Sequence, residues 1–110
     1  MKKFVYIACP YTKGDVAVNV RESMLAWDAV YDAGMIPFNP LFSHFQHLHN
    51  PRPYKEWTDY DDAWIPKCDA VLRLPGESSG AEREIELAQS LGKPVFFSLA
   101  ELYRWARKQT

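Results

Sequence analysis

Cysteine and glycine are scarce in this chain of 110 residues, which has two of the first and five of the second. Two cysteines, Cys9 and Cys68, cannot build a disulfide framework, and a reduced, cytoplasmic setting is expected. No apolar run approaches the roughly 18 residues that a membrane span needs, so no membrane partner is expected. Excess positive charge is missing too: 13 Lys and Arg stand against 14 Asp and Glu. Without a basic field, a nucleic-acid polymer is not an expected partner. Neither GxGxxG nor GxxxxGK[ST] occurs, which leaves dinucleotide and P-loop binding without support. The stretch before Pro10 holds only about six apolar residues, too few for a signal peptide and enough for a strand.

What the chain does have is apolar and aromatic weight. Hydrophobic residues make up 47% and aromatic residues 15%, enough for one domain over 1–110 with one core. "FVYIA" (4–8) is a short buried run bounded by Cys9-Pro10, as in a parallel strand. From Asp15 to Ala33, Val16, Val20, Met24, Trp27, Val30 and Tyr31 recur at helical steps, with Gly34 placed to end the helix. "MIPFNP" (35–40), "AVLRL" (70–74) and "PVFFS" (94–98) are further expected strands. Helices are expected over 58–68, 80–91 and 100–109, with Pro66 limiting the first. Residues 41–57 show no clean period and are expected to form a structured loop or lid.

This alternation argues for a three-layer α/β fold: a Rossmann- or flavodoxin-like parallel sheet of four to five strands with helices on both faces. Ligands bind such sheets beyond the carboxyl ends of the strands. Function is therefore expected around 8–12, 37–41, 75–80 and 98–101.

The segment "SSGAEREIELAQSLGKP" (78–94) carries glutamates at 82, 84 and 86. At about 100° per residue, Ala81, Ile85, Leu87, Ala88 and Leu91 fall within about 100° of Glu84. Glu82 and Glu86 fall on the opposite, solvent side. A carboxylate on an apolar stripe is costly unless it is paired, hydrogen-bonded or used. Ser79 and Glu82 resemble a capping box, which gives Glu82 a structural role. For Glu84 two readings stand level: a functional carboxylate, or a rim glutamate bonded to backbone amides at the helix start.

Asp61 stands just ahead of a buried strand that Asp69 begins; it too is either functional or a helix-end charge. Asp59 and Asp62 are expected to be plain surface charges. Tyr6 in isolation is a packed core tyrosine whose hydroxyl needs a partner. "ACPYTKGD" (8–15) joins a strand to a helix and offers backbone N–H groups to an anion. His44, His47 and His49 do not match a recognised metal-ligand spacing, and no metal is expected. Cys9 has no fixed base beside it and is expected to be a small buried or half-buried thiol.

With those residues placed, the chain resembles the nucleoside 2-deoxyribosyltransferase superfamily, which includes 2'-deoxynucleoside 5'-monophosphate N-glycosidases. The resemblance runs from Phe4 to about Phe97 and is strongest in "CDAVLRLPGESSGAEREIELAQSLGKPVF" (68–96). It implies cleavage of the N-glycosidic bond of a (deoxy)nucleoside or its 5'-monophosphate through a glycosyl-glutamate intermediate, with the sugar passing to water or to another base. No cofactor is implied. Glu84 matches the catalytic glutamate, Asp61 the active-site aspartate with Trp64 and Asp69 at the family spacing, and Tyr6 the tyrosine that positions the glutamate. Ser78 matches a sugar- or phosphate-contacting position, and serine there leans towards a monophosphate. Ser79 and Gly80 join it as expected substrate contacts, as do Pro10, Tyr11, Thr12 and Trp64.

The chain departs from the pattern in its first loop, where Pro10 and Thr12 stand in place of the phosphate-binding Ser and Arg. It also ends soon after "PVFFS", without the longer C-terminal segment by which some members complete a neighbouring subunit's site. A homodimer or larger homo-oligomer is the assembly the resemblance implies. Competing readings are a non-catalytic nucleotide-binding or sensing module, a flavodoxin-like phosphate binder, and an interaction protein using 42–64. The aromatics Phe42, Phe45, Tyr54 and Trp57 are expected to stack on a base or to pack as a lid.

Overall fold

In the computed structural model, which describes residues 1–109, four parallel strands form one sheet in the order β2-β1-β3-β4. Strand β1 is Phe4–Ala8, β2 Ile36–Phe38, β3 Ala70–Arg73 and β4 Val95–Phe96. The helices are α1 (Val16–Asp32), α2 (Ser43–His49), α3 (Tyr54–Trp64), α4 (Ser79–Ser90) and α5 (Leu99–Lys108), with 3₁₀ turns at Pro40–Phe42 and Ile65–Lys67. The α/β class, the parallel sheet and the helices on both faces are as the sequence predicts.

Strand alternation divides the core in two. Tyr6, Ala8 and Val71 face α4 and the turn after α3, packing with Ala81, Ala88 and Ile65. Val5, Ala70 and Leu72 face the other way, onto Val30 of α1 and Leu102 of α5, and Ile7 packs with Val20 and Ala26 of α1 on that side. Register is pinned by the pairs Tyr6–Phe38 and Tyr6–Val71, which put the Tyr6 ring at the centre of the α4 face.

Polar side chains fix the ends of the elements. Asp15 caps α1 by accepting from the Ala17 and Val18 amides, and Gly34, at φ +90°, turns the chain out of that helix. Buried Asn39 donates to Ser23 Oγ at 2.9 Å and accepts from the Leu41 amide at 2.9 Å, tying the end of β2 to α1. Asp69 Oδ2 accepts from the Phe4 amide at 2.8 Å, which starts β1 and β3 together.

Three expectations change. The stretch 41–57 is largely helical, because α2 lies within it and α3 begins at Tyr54. Neither helix buries a residue fully, so neither writes a periodic apolar stripe into the sequence. The strand expected over 94–98 pairs only at Val95 and Phe96, as an edge strand needs to pair on one side alone. The cap of α4 is Ser78, whose Oγ accepts from the Ala81 amide at 3.0 Å; the Ser79–Glu82 capping box does not form.

Candidate active site

A cavity of about 720 Å³ opens beyond the carboxyl ends of β1 and β3, where the topology predicts a ligand. Its floor is Glu84, its near wall the α4 start from Ser78 to Ala81, and its far wall His44, His47 and Trp57.

Glu84 is 5% exposed, in the middle of the α4 stripe, while Glu82 and Glu86 are exposed. The Tyr6 hydroxyl donates to Glu84 Oε2 from the centre of the sheet. Among the described residues Glu84 Oε1 has no hydrogen-bond partner, and Glu84 lines the cavity. Burial pushes the Glu84 carboxyl up to about 7, against the Tyr6 hydrogen bond and the Arg83 and Arg73 charges, which pull it down. Burial and the neighbouring Glu84 charge hold the Tyr6 hydroxyl far above its ordinary value, so it acts only as a donor.

Asp61, on α3, lines the same cavity with a buried Oδ1 that meets no partner among the described residues. Burial and then Glu84 push it up to about 8. Both carboxyls are thus raised into the neutral range, where they titrate as a coupled pair. Two carboxyls raised together in one cavity can divide acid and nucleophile roles between them.

Two arginines frame these carboxyls. Arg83, beside Glu84 on α4, donates to Asp62 of α3 and lines the cavity. Asp62 is thus a half-buried ion-pair partner and not the plain surface charge expected; Asp59 is exposed and bonds Lys55 at 2.8 Å. Arg73, 7% exposed at the end of β3, donates to the carbonyls of Leu74 and Gly76 and reaches Glu82 at 3.1 Å. It clamps the loop that delivers Ser78 to the cavity.

Tyr11, Thr12, Ser78, Ser79 and Gly80 all border the cavity. Pro10 and Trp64, also expected as contacts, are not among its lining residues. Pro10 turns away against Gly76, where an added Cβ would stand 2.8 Å from its Cγ. Trp64 stacks on Phe38, which stacks on Tyr6, so it supports the site from behind the tyrosine. Of the lid aromatics, Tyr54 and Trp57 line the cavity, whereas Phe42 and Phe45 are exposed outside it. Cys9 borders it as well, but burial and Glu84 push its thiol up to about 12, leaving no thiolate.

The sequence pattern alone misses Arg83, His44 and His47 as cavity residues. His44 Nδ1 lies 2.6 Å from the Tyr11 hydroxyl, and His47 Nδ1 accepts from the Trp57 indole N–H at 2.8 Å. Among the described residues, no group of three or more His, Cys, Asp or Glu is placed to hold a metal ion. No helix among them is long and apolar enough to cross a membrane.

The profile of a domain of unknown function, DUF7768, matches residues 3–98. The chain belongs to the DUF7768 family. Among curated proteins no match to this DUF7768 chain was found. Among solved structures it is similar to a 2-deoxyribosyltransferase from the psychrotolerant bacterium Bacillus psychrosaccharolyticus, with a TM-score of 0.61 and 22% identity over 84% of this chain and 69% of that one. It is also similar to the CMP N-glycosidase of Clostridium botulinum, with a TM-score of 0.59 and 18% identity over 94% of this chain and 82% of that one. At these identities the likeness is one of fold: the DUF7768 chain shares the architecture of two enzymes that act on nucleosides or nucleotides.

Proposed function

We propose that this protein cleaves the N-glycosidic bond of a (deoxy)nucleoside or its 5'-monophosphate through a covalent glycosyl-glutamate. The observation that carries the reading is the Glu84 carboxylate on the cavity floor, held by Tyr6 at one oxygen and open at the other, with Asp61 bordering the same space.

In the first step the free Glu84 oxygen bonds to the anomeric carbon as the C–N bond breaks, through an oxocarbenium-like transition state. The bonding pair leaves with the base nitrogen, and Asp61 supplies a proton to the departing base. In the second step water, or the nitrogen of a second base, attacks the anomeric carbon. The ester C–O bond breaks, Glu84 regains its charge, and the incoming group gives up its proton to Asp61. Tyr6 keeps Glu84 in line, and the Ser78–Gly80 start of α4 offers amides and hydroxyls to the sugar or its phosphate. No step calls for a metal or organic cofactor. A homodimer or larger assembly would cover the exposed Phe45 and Leu48 of α2.

The test is a panel of nucleosides and 5'-monophosphates, incubated with wild type and with Glu84→Ala and read by chromatography for free base. Base released by wild type alone, with a sugar adduct on the Glu84 peptide by mass spectrometry, supports the reading. Full activity in Glu84→Ala sinks it.

A further inference from the structure

His47 holds a proton arrangement that the fold itself dictates. Its Nδ1 accepts from two groups that can only donate, the Trp57 indole N–H at 2.8 Å and the Arg52 backbone N–H at 3.2 Å. Nδ1 is therefore bare, and the neutral ring carries its proton on Nε2. Among the described residues that nitrogen has no hydrogen-bond partner, and half-buried His47 lines the cavity that Glu84 floors. His44 differs: its Nδ1 faces the Tyr11 hydroxyl, which can donate or accept, so nothing fixes its tautomer. Trp57 stands edge-on to His47, with ring centroids 6.1 Å apart, and lines the cavity beside it. A flat aromatic group in the cavity would thus meet one indole and one fixed N–H donor on the α2–α3 side, remote in sequence from Glu84 on α4.

We infer that His47 is a specificity-determining donor that reads an acceptor on the base, favouring a ring carbonyl over an exocyclic amino group at the edge it faces. An amino group there would bring donor against donor, and His47 cannot turn acceptor without releasing Trp57 and Arg52. This rests on the proposed nucleotide site and adds which bases it takes.

The test is calorimetric binding to the full chain in the Glu84→Gln background, so that turnover does not intervene. The ligands are the 5'-monophosphates of uridine against cytidine and of inosine against adenosine, ribo and 2'-deoxy, with 2-deoxyribose 5-phosphate as the base-free control. The keto member of each pair should bind about tenfold tighter, the worth of one neutral hydrogen bond. His47→Phe should bring each pair to within about threefold while leaving the base-free control unchanged; His47→Gln, which keeps an N–H, should restore part of the ratio. Trp57→Phe, which leaves only the longer Arg52 N–H bond to hold Nδ1, should narrow the ratio without His47 being touched. Equal or reversed preference in the parent, or an unchanged ratio in His47→Phe, overturns the inference. A His47-dependent ratio in a protein whose wild type releases no base leaves the inference standing and removes the glycosidase. Failure to bind any nucleotide removes both.

Discussion

The Tyr6 hydroxyl, at the centre of β1, donates to the Glu84 carboxylate of α4 across 78 positions of sequence. This single contact joins the middle of the sheet to the floor of the cavity. It also divides Glu84 into a held oxygen and a free one, as a carboxylate nucleophile requires. The Tyr6 ring is itself fixed by the stack through Phe38 to Trp64.

Tyr6→Phe keeps that stack and removes only the donor. A hydrogen bond to a charged group contributes about 1.5–3 kcal/mol, so kcat should fall by about 10–150-fold while the fold persists. The Tyr6 bond favours the ionised form of Glu84, so its loss raises the carboxyl further. The acid limb of the pH–rate profile should move to higher pH, and an unmoved limb would argue against the assigned roles.

Asp61→Asn removes the proton donor and keeps the shape. With Glu84 pushed up to about 7 and Asp61 to about 8, wild type should show a narrow bell whose two limbs belong to the coupled pair. The variant should lose the alkaline limb, with kcat down by about 10²–10⁴-fold for ordinary bases. Bases that leave readily without a proton should suffer much less. Equal losses across leaving groups would show that Asp61 does not act as the acid.

Glu84 was legible in the sequence because α4 buries one face and exposes the other, so phase alone separates it from Glu82 and Glu86. The strands were legible for the same reason, as short apolar runs between Pro and Gly. The far wall of the cavity was not. Helices α2 and α3 lie on the surface with no fully buried residue, and a helix with no buried face leaves no periodic trace. Position along a loop or helix does not report direction: Pro10 packs against Gly76 and Trp64 against Phe38, neither of which the sequence pattern shows. His47 could be found only from its partners, Arg52 and Trp57, which lie 5 and 10 residues away.

Gly76→Ala should disturb the loop that leads into α4. Gly76 has φ +117°, and a Cβ there would meet Pro10 Cγ at 2.8 Å. Backbone strain of this kind costs about 1–3 kcal/mol before any clash is counted. Arg73 grips the Gly76 carbonyl at 2.8 Å, so the displacement should reach Ser78 as well. Denaturant melts should show the stability loss, and KM should rise more than kcat falls. A variant as stable as wild type would show that the loop relaxes freely.

The two site carboxyls should make folding stability fall as pH rises. Their ordinary values are 3.8 for Asp61 and 4.5 for Glu84, and in the folded protein both are raised, to about 8 and about 7. Between about pH 4 and 8 the folded state therefore binds more protons than the unfolded chain. Stability falls with pH wherever the folded state holds the extra protons. The contribution is fully present below the ordinary values and is lost as pH passes the folded ones. Asp61→Asn removes one of these groups and relieves Glu84 of its like-charged neighbour, so it should stabilise the protein at pH 8 by about 1–3 kcal/mol, and little at pH 4. Urea melts of both proteins at pH 4, 6 and 8 measure this directly. A variant less stable than wild type at pH 8 would mean that the Asp61 carboxylate is better solvated in the cavity than its buried, unpartnered oxygen implies.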